Sequence, residues 1–222
     1  VVIKLEDLPQ QVHRLAFLAD VDKEITAFEQ KISVEAGEIV GQIYDALLEQ
    51  YRDKSNPESL KSLNKLCVRL VFCLYAEDSG LFANHLQFHD YLRVYSHDPR
   101  TALINLFKVL NTPEDKRDPY LSDDLAAFPY VNGGLFADEN IEIPKLTPQI
   151  VELILKKASE SFDWSLISPT IFGAVFESTL NPETRRKGGM HYTSVENIHK
   201  VIDPLFLNEL KEELKNALEL KV

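Results

Sequence analysis

The sequence predicts a mainly α protein, an irregular helical bundle with a long Pro/Gly-rich connector and a C-terminal helical arm. Three observations lead there. Apolar residues recur at helical spacing in most of the chain. One stretch, Leu66 to Ala76, is apolar on nearly every side, the pattern of a central buried helix. Prolines and glycines gather between Pro113 and Pro144, where no periodicity survives.

The elements follow in order. In "EAGEIVGQIYDALLEQY", Ile39, Ile43, Tyr44, Leu47, Leu48 and Tyr51 form one apolar stripe. "KSNPES" breaks the chain. "LKSLNKLCVRLVFCLYAEDSGLF" begins amphipathic, turns apolar all round, and stops at Gly80. In "HDPRTALINLFKVLN", Asp98 caps, Pro99 suits the first turn, and Leu103, Leu106, Phe107 and Leu110 share a face. The connector then carries Pro113, Pro119, Pro129, Gly133, Gly134 and Pro144, and its "IEIPKL" is expected to form a short edge strand. Helices resume in "TPQIVELILKKASESF" and in "SPTIFGAVFESTL", where Ser168 caps, Pro169 starts, and Phe172, Val175, Phe176 and Leu180 face inward. Thr193 and Glu196 make a capping box ahead of Val195, Ile198, Val201 and Ile202. Pro204 predicts a kink or break at Asp203.

Composition narrows the function. The chain has 222 residues, 45% hydrophobic and 27% charged, enough for one sizeable core. No apolar run is long enough to span a bilayer, and the N-terminal stretch has no signal-peptide pattern, so no membrane partner is expected. Cys67 and Cys73, six apart within an apolar run, read as buried unpaired thiols of a cytoplasmic protein. A net charge of −11 argues against a domain that wraps nucleic acid by itself. The dense basic cluster is Arg185, Arg186 and Lys187. The absence of an initiator Met suggests a segment of a longer polypeptide.

Four stretches could carry chemistry. "HLQFHD" sets His85 and His89 four apart beside Asp90, so on a helix both imidazoles would share a face. No third ligand is signalled, and the pair reads as a polar face near a helix end. Asp138, Glu142 and Lys145 loosely follow a metal-nuclease pattern, but the spacing is wrong and Pro144 interrupts it. "FPYVNGGLF" lets the chain turn sharply at Asn132, Gly133 and Gly134, with Phe128, Tyr130 and Phe136 tacking a structural loop to the core. In "TRRKGGMHYTSVENIHKVIDPLF", glycines allow close backbone approach, Tyr192 offers an aromatic wall, and a capped helix points its N-terminus outward. That is an anion half-site, with an ordinary capped helix as the plainer reading.

"KGGMHYTSVENIHKVIDPLF" resembles motif X, the segment that opens the catalytic domain of N6-adenine DNA methyltransferases. "LNKLCVRLVFCLYAEDSGLF", "FPYVNGGLF" and "SPTIFGAVFESTLNPETRRKGGMHYTS" resemble the helical spacer of MmeI-like (type IIL) restriction–modification enzymes. The similarity runs over about residues 55 to 206. It implies S-adenosylmethionine as cofactor, with motif X contacts at Met190, His191, Tyr192, Thr193 and Ser194; many members have Pro at the last position. It implies double-stranded DNA as partner, together with nuclease, methyltransferase and target-recognition domains of one polypeptide. Arg185, Arg186 and Lys187 become candidates for the DNA backbone. The family's D-P-x-C/A-G-S-G and N-P-P-[FY] motifs are absent from the 222 residues, so no catalytic residue is assigned and the chain is expected to be silent alone.

The expected organisation is an N-terminal helical segment (1–34), a helical spacer domain (35–180), a linker (181–189) and the first helices of a methyltransferase domain (190–222). Two alternatives remain open. One is a helical protein-interaction module without a methyltransferase. The other is a HEPN-like ribonuclease, suggested by Arg186 and His191 with four residues between them.

Overall fold

The computed structural model describes residues 21–131, 133–167 and 203–219. Within them the fold is helical and no strand forms. Helix α1 spans Val21–Leu48, α2 Pro57–Asp78, α3 Gln87–Val94 and α4 Pro99–Leu110. A short α5, Asp123–Ala126, interrupts the connector. Helix α6, Pro148–Glu152, continues as a π-helical stretch Leu153–Glu160, and a 3-10 turn follows at Trp164–Leu166. Near the C-terminus a π turn, Asp203–Leu207, leads into α7, Asn208–Glu219. The break expected at Asp203 falls at the edge of this last described segment. The helix expected from Ser168 to Leu180 lies outside the described residues.

Three helices begin in the same way. Asn56, Asp98 and Thr147 each accept a hydrogen bond from a backbone N–H of the first turn, and each is followed by a proline. The cap satisfies a donor that has no intrahelical partner, and proline has no N–H to satisfy at that position. Helix α2 ends where Gly80 takes a left-handed φ of 75°, so that the N–H groups of Leu81 and Phe82 return to the Ala76 carbonyl, both at 3.0 Å.

The core forms around α2. Leu63, Leu66, Cys67, Leu70, Val71, Cys73, Leu74 and Ala76 are buried on every side of it, and neither cysteine forms a disulfide. The helix packs against α1, α3 and the Trp164 turn, while the π-helical stretch packs against α1 and α3. The stripe Ile39, Ile43, Tyr44, Leu47 and Tyr51 is buried, and Leu48 lies half-buried at its margin. Trp164 is fully buried; its indole N–H donates to Ala158 at 2.7 Å and its backbone N–H to Asp78 at 2.8 Å.

The connector between α4 and α6 has little regular structure, so side chains must satisfy its carbonyls. Arg69, buried in α2, donates from Nε to the Leu135 carbonyl at 3.0 Å and from Nη2 to that of Asp138 at 2.7 Å. Its guanidinium also lies over the rings of Phe107 and Phe136, at 5.3 and 5.4 Å. Lys65 pairs with the Asp138 carboxylate. Arg117 reaches the carbonyls of Thr112, Ala126, Phe128 and Val109, and Arg100 that of Ile143. The Tyr51 hydroxyl donates to the Glu142 carbonyl at 2.5 Å, and Ser59 to its carboxylate at 2.7 Å. The edge strand expected at "IEIPKL" therefore does not form. Pro144 lacks a donor, and the carbonyls of Glu142 and Ile143 go to side chains instead of a neighbouring strand.

The "FPYVNGGLF" loop is structural, as expected. Gly133 and Gly134 take φ of 131° and 80°, which glycine adopts without strain. Phe128 and Phe136 are buried, in edge contact with Phe82 and Phe72 respectively. Tyr130, expected to help tack the loop down, is 38% exposed and takes no such part.

Replacing Arg69 by Leu strands two carbonyls and removes two charge-assisted hydrogen bonds. It should cost about 3 kcal/mol in urea unfolding. Arg69→Lys should fall between the two, because an ammonium cannot fork to both carbonyls as a guanidinium does.

Candidate functional site

A polar cluster lies where α2, α3 and the π-helical stretch meet. Its centre is Glu77, 1% exposed near the end of α2. One carboxylate oxygen accepts from the His89 backbone N–H at 3.0 Å, the other from the Ser159 hydroxyl at 2.7 Å. His89 sits in the first turn of α3, whose leading residue, Leu86, has no side chain able to cap. Glu77 therefore caps α3 from another helix, its charge facing the positive end of that helix's dipole.

The His89 ring bridges outward, with Nδ1 3.1 Å from Asp90 and Nε2 3.0 Å from Glu160. Lys156 also reaches the Glu160 carboxylate at 3.0 Å. Beside them Asp78 accepts from Trp164 and lies 3.4 Å from the exposed His85 ring.

The electrostatics follow the burial. Desolvation pushes the Glu77 carboxyl above the usual glutamate value of 4.5, and the hydrogen bonds from His89 and Ser159 pull the other way. Asp78 is raised for the same first reason. The exposed Glu160 is lowered, mainly by Lys156 and then by His89. The polar atoms of Glu77 and Ser159 are spent on each other and on backbone. The cluster joins three elements.

The histidine pair does not share a helix face. Leu86 takes a positive φ of 59°, so α3 starts after His85, and the two rings turn to different carboxylates. Asp138 and Glu142 are likewise separated, one on Lys65 and one on Ser59. Among the described residues no group of three or more His, Cys, Asp or Glu side chains could hold a metal. The cofactor candidates Met190, His191, Tyr192, Thr193 and Ser194, and the DNA-backbone candidates Arg185, Arg186 and Lys187, all lie outside the described residues. Of the residues that organise this region, His89 was marked in the sequence only as one of a histidine pair, and Arg69 and Glu77 were not singled out. The available signal was a lone Arg and a lone Glu on the buried helix.

No described helix is long and apolar enough to cross a membrane. Residues 61–136 match the family described as "MmeI, helicase spacer domain". The chain is 32% identical to DNA methyltransferase A of Bacillus subtilis (strain 168), over 97% of its own length and 24% of the relative's. It is 28% identical to a putative type II restriction enzyme and methyltransferase of Methanocaldococcus jannaschii, over 67% of its length and 15% of the relative's. It superposes on the type IIL restriction–modification enzyme MmeI, solved in complex with DNA, with a TM-score of 0.66 and 40% identity, covering 82% of this chain and 24% of that one. The chain thus spans less than a quarter of the length of each.

The raised Glu77 value fixes the sign of a pH effect. A carboxyl raised in the fold favours folding below the unfolded value and loses that contribution as pH rises through the folded one. Glu77→Gln can still accept from His89 and can donate to Ser159. Relative to wild type it should therefore gain stability as pH rises above 4.5. Glu77→Leu leaves both donors unpaired and should cost about 3 kcal/mol. Urea midpoints across pH 4 to 8 read both, and parallel wild-type and Gln profiles would contradict the assignment.

Proposed function

We propose that this chain, whose helical domain is an MmeI-type spacer, is part of a DNA restriction–modification enzyme that methylates adenine at N6, and that the spacer sets the distance and orientation between its nuclease and methyltransferase modules. One observation carries the spacer role. The matched residues 61–136 include Arg69, Arg117 and the tethered loop, so a long irregular segment is held to the helices by side-chain hydrogen bonds. A spacer that fixes distance needs that stiffness.

The relatives support the rest of the reading. S-adenosylmethionine is the methyl donor in the whole enzyme, and the resemblance to motif X implies that Met190, His191, Tyr192, Thr193 and Ser194 contact its methionine end. Residues 181–189 serve as linker, and 190–222 open the methyltransferase domain. Arg185, Arg186 and Lys187 meet the DNA backbone. Nuclease, methyltransferase and target-recognition domains of the same polypeptide, and double-stranded DNA, are the partners, in the cytoplasm. The relatives support neither the interaction-module reading nor the ribonuclease reading.

The C-terminal arm fits this organisation. Leu205, Phe206, Leu210 and Leu214 are each about half exposed or more, and the last three recur at intervals of four on one side of the helix. A methyltransferase sheet would cover that side.

The 222 residues lack the N-P-P-[FY] motif, so they should incorporate no labelled methyl into adenine-containing DNA. The longer polypeptide should do so, and Tyr192→Ala should weaken its binding of S-adenosylmethionine. In that polypeptide Arg69→Lys should spread cleavage over neighbouring positions while leaving methylation unchanged. Methyl transfer by the 222 residues alone, or none by the longer polypeptide, would refute the reading.

A further inference from the structure

We infer that the groove between the end of α4 and the turn at Glu114–Lys116 is a second contact surface for the phosphodiester backbone of DNA, separate from the Arg185 cluster. This rests on the restriction–modification reading for the identity of the partner. The groove holds about 540 Å³ and is lined by Asn105, Lys108, Thr112, Lys116 and Arg117, with Asp118 at one side.

Its cations are not neutralised. Four lysines among the described residues have acidic partners: Lys54 with Glu49, Lys61 with Glu58, Lys65 with Asp138, Lys156 with Glu160. Lys108 and Lys116 are exposed, and neither has a carboxylate within ion-pair distance among the described residues. Arg117 forms the floor. Its donors go to four neutral carbonyls, which fix the guanidinium in place without cancelling its charge. The groove lining itself carries three cations, Lys108, Lys116 and Arg117, against the one acid Asp118, in a chain of net charge −11, which favours an anion there.

The nearby opposing charges are Glu114, Asp115 and Asp118. The first two are exposed on the turn, and one oxygen of Asp118 accepts from the Tyr120 backbone N–H at 2.9 Å. They weaken the site and make it salt-sensitive.

A second observation selects nucleic acid over an acidic peptide. Tyr120, between the groove residues Asp118 and Leu121, is 93% exposed. An exposed aromatic ring on the chain segment that lines a cationic groove suits a sugar or base face next to its phosphates.

The test measures binding of a fluorescent duplex to the full 222-residue chain by anisotropy across a salt series. Wild type should bind weakly, with a steep salt dependence. Lys108→Glu with Lys116→Glu should weaken binding and reduce the log–log salt slope by about two, roughly 0.9 for each phosphate that is no longer neutralised. Tyr120→Ala should weaken binding and leave the slope unchanged. Both variants should keep the wild-type melting temperature, because all three side chains are exposed. Absence of duplex binding by wild type at low salt, an unchanged slope in the double variant, or equal binding of polyglutamate would each overturn the inference. Methyl transfer by the longer polypeptide is read separately, so a failure here leaves the restriction–modification reading intact.

Discussion

Arg69 decides whether the connector is a structure or a tether. Its guanidinium is buried in the central helix, where an unpaired charge would cost several kcal/mol. It is accommodated because its planar fork meets the Leu135 and Asp138 carbonyls and its faces meet two phenyl rings. Each side needs the other. The carbonyls lie in a loop with no ladder to satisfy them, and the arginine sits in a core with few other acceptors. Burial lowers Arg69 below the usual arginine value, and the nearby Asp138 carboxylate pushes back. Lys65 binds that same carboxylate from one turn earlier on α2. The loop is thereby fastened to the helix through both its backbone and a side chain.

Glu77 plays the matching part at the other end of α2. It supplies the cap that Leu86 cannot give α3, and it holds Ser159 in the π-helical stretch. A single buried helix thus fixes the connector with a cation near its middle and the following helices with an anion near its end. Both charges lie among apolar side chains, and both have their hydrogen bonds met. This explains how a chain with so much irregular backbone keeps one core.

Much of this fold can be read from local signals. The all-round apolar run marks α2, Asp98-Pro99 marks the start of α4, and Gly80 the end of α2, because each acts through neighbours in sequence. Arg69 and Leu135 are 66 residues apart, and no local pattern links them. The positive φ at Leu86 is imposed by packing, and it undoes the four-residue spacing of His85 and His89. The π register after Glu152 is also hidden, since eight residues are too few to separate its period from that of an α-helix. Helix α1 begins at Val21 and runs on into the stripe that starts at Ile39, with Ile32 and Ala36 already buried ahead of it. Of the candidate site, motif X was legible only through resemblance, and the groove only after the fold had brought Lys116 and Arg117 to Lys108.

A spacer that sets distance must be rigid where it is irregular, and the most direct test is native-state hydrogen exchange at Val131. Its amide donates to the Leu110 carbonyl at 2.8 Å, joining the connector to the end of α4. If the connector is part of the cooperative core, that amide should exchange with the same opening free energy as the amides in the middle of α2, and should follow them in denaturant. Exchange well below that value, with no dependence on denaturant, would show a connector that opens by itself and would contradict the spacer account.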